Sequence, residues 1–426
     1  MIPIIIAGVL ALACLVSAYW FLRRKRLIND TPTSKALGVF IGLVELKGAA
    51  ESDAPFTGRL SGAKCVLYNW RVDEHWTRIV TTTSTDGKGH TTTTTHTESG
   101  WTTVAHGGEE APFYLQDDTG VIRIQPEGAK IESRELYDKT VGMLDPLYYG
   151  KGPAGSVANS DHRRRFVETG IPLHAQLYVM GQARERQDAV AAEVARDKKA
   201  PLFLISVHTE KQVSAEQGWG VWVFFFLGLV LAPLGVLVAN LINKPVAALW
   251  PPYVIAGGAY LVAAALGWMW TVFNSLVGLR QRTRQAWGEV DIQLKRRADL
   301  IPNLVNVVEG YSVHEKGTQE LLTALRGQVS AGTNISGLAP SLRVALEQYP
   351  DLKASEQFLN LQKELAETEE RIALARDYFN NIATFYNGRL QIIPDTFIGK
   401  MAGFKAENLM TATALERAAI KVSLVS

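Results

Sequence analysis

Histidines His75, His90, His96 and His106 lie in or beside a threonine tract, Thr81–Thr103. Imidazoles gathered this way could hold a metal ion, which needs three or four nitrogen, sulfur or carboxylate donors converging on one point. The spacing fits neither a helical pair nor a knuckle, no cysteine assists, and threonine hydroxyls are poor zinc ligands. High β-propensity and the Asp86-Gly87 pair predict instead a polar hairpin arm that turns near that dipeptide. A second motif, Gly150-Lys151-Gly152-Pro153-Ala154-Gly155, spells the glycine pattern of a dinucleotide loop. Such a loop must open a helix whose N-terminus meets the phosphates, and Pro153 followed by Ser-Val-Ala-Asn-Ser does not supply one. Arg163, Arg164 and Arg165 could meet acidic lipid headgroups, or could be solvated charges paired locally with Glu168. There is no G-x-S-x-G, and His314-Glu315 lacks the second histidine of a zinc protease. No residue is assigned a catalytic, cofactor-binding or metal-binding role, and no cofactor is expected.

Composition narrows the class. The chain has 426 residues, 44 basic and 42 acidic side chains and a net charge of +2, so bulk charge implies no nucleic-acid partner. The 2 cysteines, Cys14 and Cys65, cannot build a disulfide framework or a cysteine zinc site.

Stretches Ile2–Leu22, Trp219–Ile242 and Tyr253–Phe273 carry no charged side chain. A hydrocarbon core of roughly 30 Å takes about 20 apolar helical residues, and each stretch has that length. Arg23, Arg24, Lys25 and Arg26 follow the first stretch, and Arg280, Arg282 and Arg284 follow the third. The loop between the second and third, 243–252, holds only Lys244. Because Lys and Arg stay on the cytoplasmic side, the N-terminus is expected outside and both soluble parts in the cytoplasm. A cleaved signal peptide fits the first stretch less well, since its charges follow the apolar run and Ala18-Tyr19-Trp20-Phe21 is bulky. Trp219, Trp222, Trp268 and Trp270 mark the cytoplasmic interface, with Trp250 and Tyr253 opposite. No ionisable side chain interrupts a span, which argues against a channel or transporter component.

Residues 28–215 read as β-rich, with strands expected at 39–46, 65–72, 111–115, 121–125, 175–180 and 202–207. Asp118-Thr119-Gly120 is a turn signal, and short helices are expected at 132–138 and 184–196. Residues 274–426 change period. Trp287, Val290, Leu294, Ile301, Leu304, Val308 and Tyr311 recur at mostly three- and four-residue steps, broken at Arg297. Phe358, Leu361, Leu365, Ile372, Ala375, Phe379, Ile382 and Tyr386 do the same, with Thr368 the exception. These coiled-coil-like seams predict an elongated antiparallel helical bundle, with shorter helices at 315–329 and 340–349. The first long helix should continue out of the third span and kink at Pro302. The amphipathic segment 393–404 could dock on the bundle or lie on a membrane or partner surface.

Gly42-Leu43-Val44, Cys65-Val66-Leu67-Tyr68, Pro112–Val121, Arg165-Phe166-Val167-Glu168 and Tyr178-Val179-Met180-Gly181 resemble the GIDE domain. That domain occurs in membrane-anchored ubiquitin ligases of mitochondria and plastids and in bacterial membrane proteins. The ligases add a zinc-binding RING, for which this chain has neither a CxxC pair nor enough cysteines. Residues 274–410 resemble the LemA family more closely: Asn274–Arg280, Ala286-Trp287, Asp291–Leu304, Tyr349–Ala354, Phe358–Gln362, Glu369–Ala373, Ala375–Asn380 and Tyr386-Asn387. The resemblance implies a membrane-anchored helical cytoplasmic domain without established catalysis. LemA proteins usually have one span, whereas here a β-rich domain and two further spans precede the LemA-like part.

The expected fold is thus a multi-domain membrane protein: transmembrane helices at 1–22, 219–242 and 253–273, a β-rich (α+β) cytoplasmic domain at 28–215, an all-α bundle at 274–410 and a tail at 411–426. The expected role is a non-enzymatic scaffold of the bacterial inner membrane. It would form a homo-oligomer through Trp287, Val290, Leu294, Ile301, Pro302, Leu304, Phe358, Leu365, Ile372 and Phe379, or through its spans, and present its domains to an unidentified cytoplasmic protein. A quality-control regulator related to ubiquitin ligases, lacking its own RING, and a channel or transporter component are the alternatives.

Overall fold

The computed structural model describes residues 2–85, 91–186, 191–198, 200–243, 250–312 and 356–410. The expected helices at 315–329 and 340–349, the Asp86-Gly87 turn, His90, Lys244 and the tail at 411–426 lie outside them. The chain divides into two units, Thr33–Val213 and a second made of Met1–Pro32 with Ser214–Ser426.

The first unit holds two sheets. One contains β1 (Thr33–Ser34), β2 (Gly42–Glu51), β6 (Phe113–Gln116), β7 (Val121–Ile124), β8 (Lys130–Glu132), β11 (Gln176–Glu185), β12 (Ala192–Ala195) and β13 (Leu204–Ser206). Strand β2 pairs with both β6 and β11, so β2, β6, β7, β12 and β11 close into a ring. Alternation along β2 buries Val44, Leu46 and Ala50, while Leu115, Ile124, Val179 and Val194 are buried from the other ring strands. The expected turn joins β6 to β7, fixed by Asp117, whose Oδ1 accepts from the N–H groups of Thr119 at 2.8 Å and Gly120 at 3.0 Å.

The other sheet contains β3 (Phe56–Thr57), β4 (Lys64–Thr85), β5 (Thr91–Glu110), β9 (Arg134–Gly142) and β10 (Ser160–Pro172). Leu60, Val72, Val141, Tyr148 and Phe166 form its core, and Tyr148 comes from the short helix α2 (Pro146–Gly150). Strands β4 and β5 pair from Leu67↔Glu110 out to Thr85↔Thr91, with one register shift between Val72 and Asp73. Support from β10 ends at Trp76, so Thr77–Thr85 and its partner run on as a two-stranded ribbon. At 3.4 Å per residue this arm is about 30 Å long.

Two expected helices are strands. Residues 132–138 fall in β8 and β9, because Tyr137 and Lys139 pair with Glu168 and Phe166 of β10. The described part of 184–196 lies in β11 and β12, which pair Arg184 with Glu193. Tertiary pairing overrode the helix propensity of Ala, Glu and Arg there.

In the second unit, α1 (Ile2–Asn29), α3 (Glu210–Asn243) and α4 (Pro251–Ser312) are long and apolar enough to cross a membrane. The capping box Thr209-Glu210-Lys211-Gln212 starts α3: the Gln212 side chain accepts the Thr209 N–H at 2.9 Å. Ala7, Ala11, Leu15 and Ala18 form the buried stripe of α1. Small residues permit close helix approach; a Cβ on Gly267 would sit 2.5 Å from the Tyr19 ring. The Tyr260 hydroxyl donates to the Phe225 carbonyl at 2.9 Å, satisfying a polar tip inside the apolar packing.

Helix α4 runs through Pro302 without a break and pairs with α5 (Glu356–Gln391). Trp287 meets Phe379, and Arg297 pairs with Glu369, which makes the two antiparallel. The buried positions of α4 include Leu276, Leu279, Thr283, Ala286 and Val290, and those of α5 include Leu365, Thr368, Ile372, Ala375, Phe379, Ile382 and Tyr386. Both sets follow alternating three- and four-residue steps. Thr368 belongs to the seam after all: its hydroxyl donates to the Glu364 carbonyl at 2.7 Å, and Thr283 donates to Leu279 at 2.9 Å. Bonding back to the preceding turn lets a threonine occupy an apolar position.

Candidate functional site

The glycine motif does the reverse of holding phosphate. Arg164 projects from β10 into the loop after α2 and is fully buried. Its guanidinium donates to the carbonyls of Tyr148 at 2.8 Å, Pro153 at 2.7 Å and Gly155 at 2.6 Å. A phosphate cradle turns N–H groups inward; this one turns carbonyls inward around a cation. A side chain on Gly152 would collide with the Tyr148 carbonyl, so the glycine there serves close approach to the guanidinium. The remaining Arg164 donors pair with Glu74 at 3.0 and 3.1 Å, and that carboxylate also accepts from Ser160 at 2.5 Å and Tyr148 at 3.0 Å. Burial pushes the Glu74 carboxyl up, but Ser160, Arg164 and Tyr148 outweigh it and hold it below the usual glutamate range.

For Arg164 this corrects both readings, while Arg163 is exposed. Arg164 is neither solvated nor open to lipid, and its partner is Glu74. Glu168, also buried, instead accepts from the backbone of Leu60 at 2.6 Å and Ser61 at 3.3 Å. Arg165 pairs with Asp138. The sequence offered no cue to Glu74, which stands in a polar run in the middle of β4.

The described histidines of the group, His75, His96 and His106, do not converge. His75 pairs with Asp161 at 2.6 Å, His96 lies 3.2 Å from Glu98, and His106 is exposed opposite Arg71. Among the described residues no group of three His, Cys, Asp or Glu side chains could hold a metal ion. The arm itself is a ladder of threonines, with Thr81 opposite Thr95, Thr82 opposite Thr94 and Thr83 opposite Thr93.

Polar groups concentrate where α1 ends. Arg24 lies over the Trp20 ring at 3.7 Å, Arg23 is exposed, and Lys25 reaches Gly218 at the foot of α3. Arg26 turns inward to Asp395 at 3.6 Å. Arg389 of α5 pairs with Asp395 and stands 4.0 Å from Asp30. Asp30 accepts from Ser275 at 3.3 Å, and Arg282 donates to Thr31 at 2.6 Å. Burial raises the Asp30 carboxyl above its ordinary range against the pull of Arg389, Arg282 and Arg26. This buried cluster joins the end of α1, the middle of α4 and the end of α5. Sequence reading took Arg26 for a topology signal alone.

Beyond α5 the chain forms α6 (Asp395–Met401) and then an extended stretch back along α5. Asn387 Nδ2 donates to the Glu407 carbonyl at 2.8 Å, and its Oδ1 accepts the Glu407 N–H at 2.9 Å. Asn380 does the same to Met410 at 3.0 and 2.8 Å.

Among the expected interface tryptophans, Trp219, Trp222 and Trp270 are exposed, while Trp268 packs on the cluster of Val272, Leu276 and Ile398. Among the expected seam residues, Val290, Leu365, Ile372 and Phe379 are buried between α4 and α5, Leu294 is half-buried, and Trp287 is exposed. Pro302 is exposed; the side chains of Ile301, Leu304 and Phe358 lie outside the described residues.

Two families of known proteins match separate parts of the chain. The LemA family model matches residues 286–424. The GIDE model, described as an E3 ubiquitin ligase, matches residues 82–239. A curated relative, Protein LemA of Metamycoplasma hominis, is 23% identical over 161 residues, covering 35% of this chain and 74% of its own length. The chain is therefore similar to LemA proteins in its C-terminal part and to the GIDE family in its middle.

Proposed function

We propose that this chain is a non-enzymatic scaffold of a bacterial inner membrane, with its N-terminus outside, its β-rich unit and helical bundle in the cytoplasm, and copies joined through β5. One observation carries the self-assembly: along residues 92–110, β5 pairs with β4 on one side and with no described strand on the other. Natural proteins blunt such edges with Lys, Pro or a cover, because a free row of N–H and C=O groups templates another strand. This edge has no Lys, Arg or Pro, and most of it is exposed. Most described seam residues are used within the chain, which leaves the strand edge as the better joint. The basic collars in the last turns of α1 and within α4 support the sidedness.

The test is the mass of the full chain in lipid nanodiscs or mild detergent. Wild-type protein should form oligomers, and Thr93→Lys with Thr95→Lys on the exposed arm should give monomers. A monomeric wild type would overturn the reading.

The GIDE match favours a second reading, a regulator of membrane-protein quality control that works with a separate ubiquitin-type transfer enzyme. Transfer activity in a purified system, lost on deleting 33–213, would favour it over the scaffold.

A further inference from the structure

Helix α6 has two faces. Asp395, Ile398 and Gly399 are buried, and Ile398 packs with Val272 and Leu276 of α4, backed by Trp268, Leu390 and Phe404. The other face is apolar and uncovered. Ile393 is 73% exposed, Phe397 60% and Met401 82%, and Ile392 beside them is also exposed. Phe397 and Met401 are four residues apart on the helix and share one face, and Ile392 and Ile393 stand exposed in the turn that leads into it.

What covers that face follows from where α6 is pinned. Val272 and Leu276 are the last turns of the apolar stretch of α4, directly before Arg280 and Arg282. Trp270 and Phe273, on the same turns, are exposed apolar side chains of a helix long enough to span. Phe404 lies against Phe273, with ring centroids 5.9 Å apart, and so continues the surface of the span. The bare face therefore stands level with the end of the lipid-facing surface and is continuous with it. Lys400 and Lys405, both exposed, give the segment the basic flank usual for helices lying at a headgroup boundary. The ion cluster of Arg26, Arg389 and Asp395 clamps the N-terminus of α6 to α1, so the bare face cannot swing away from that level.

We infer that α6 is an interfacial membrane helix, with Ile393, Phe397 and Met401 seated at the headgroup–acyl boundary of the bilayer that α1, α3 and α4 cross. Helix α5 then returns to the membrane rather than ending free in water, and the hairpin is rooted at both of its lower ends. This rests on the membrane reading above and adds a lipid contact that the spans alone do not require.

The experiment places p-benzoylphenylalanine singly at Phe397, Met401, Trp270 and Lys363 in the full chain, reconstituted in phosphatidylcholine–phosphatidylglycerol vesicles. After irradiation, intact mass reports what each position touches. Phospholipid adducts are expected at 270, 397 and 401 and none at Lys363, an exposed position far along α5. A lipid adduct at 270 without one at 397 and 401 would overturn this inference and leave the membrane reading standing. Cross-links from 397 to a second copy of the chain would overturn it in favour of a protein cover. Loss of the adduct at 270 as well would remove the membrane reading, and this inference with it.

Discussion

Asn387 grips the backbone of Glu407 with both ends of its amide, as one strand residue grips another across a ladder. Asn380, two helical turns earlier, repeats the grip on Met410. The stretch after α6 is thereby held along α5 by side chains standing in for a missing strand. Asn387→Ala removes one such pair and should cost about 1–3 kcal/mol, the range for two neutral hydrogen bonds. Amide exchange should accelerate at 404–410 while the seam amides of α5 remain protected. Unchanged exchange at 404–410 would mean that the grip contributes nothing.

Breaking the buried Glu74–Arg164 pair leaves an uncompensated charge. Arg164→Ala should destabilise the β-rich unit by about 3–5 kcal/mol, read as a lower melting temperature of the full chain in detergent. The pH dependence follows from the direction of the shift. Glu74 is held below its usual range, so its contribution is complete above the ordinary glutamate value and is lost as pH falls through the depressed one. Glu74→Gln should flatten that acid limb.

Asp30 has the opposite sign. Its carboxyl is raised by burial, so the stability linked to it is complete below the ordinary aspartate value and declines as pH rises through the folded one. Asp30→Asn should remove this decline in a melting series from acid to neutral pH. An unchanged slope would show that Arg26, Arg282 and Arg389 already neutralise the group.

Sidedness can be read directly. With cysteine placed at Thr93 or Lys363, both exposed, a membrane-impermeant maleimide should label neither in intact cells and both after lysis. Labelling of either before lysis would overturn the topology.

Much of the second unit was legible because its signals are local. Charge-free runs and three–four periodicity mark α1, α3, α4 and α5 without knowledge of any partner. The β-rich unit was only partly legible, since its strands are fixed by pairing between distant segments. Residues 132–138 and the described part of 184–196 carry helix-forming residues and still joined sheets, because β10 and β11 offered partners. Arg164 looks like any member of a basic run until the loop carbonyls close around it. The grips of Asn380 and Asn387 were not legible for the same reason: their partners lie 30 and 20 residues downstream.

Helix α4 spans 62 residues in one unbroken element. At 1.5 Å per residue, the part beyond Phe273 reaches about 58 Å, so on the proposed membrane reading it would act as a lever arm with its fulcrum in the bilayer. A tilt of about 10°, well within the range that spans adopt as bilayer thickness varies, would sweep its tip by roughly 10 Å. Changes in lipid thickness would be magnified into displacements as large as a helix diameter, and α5 would ride with them.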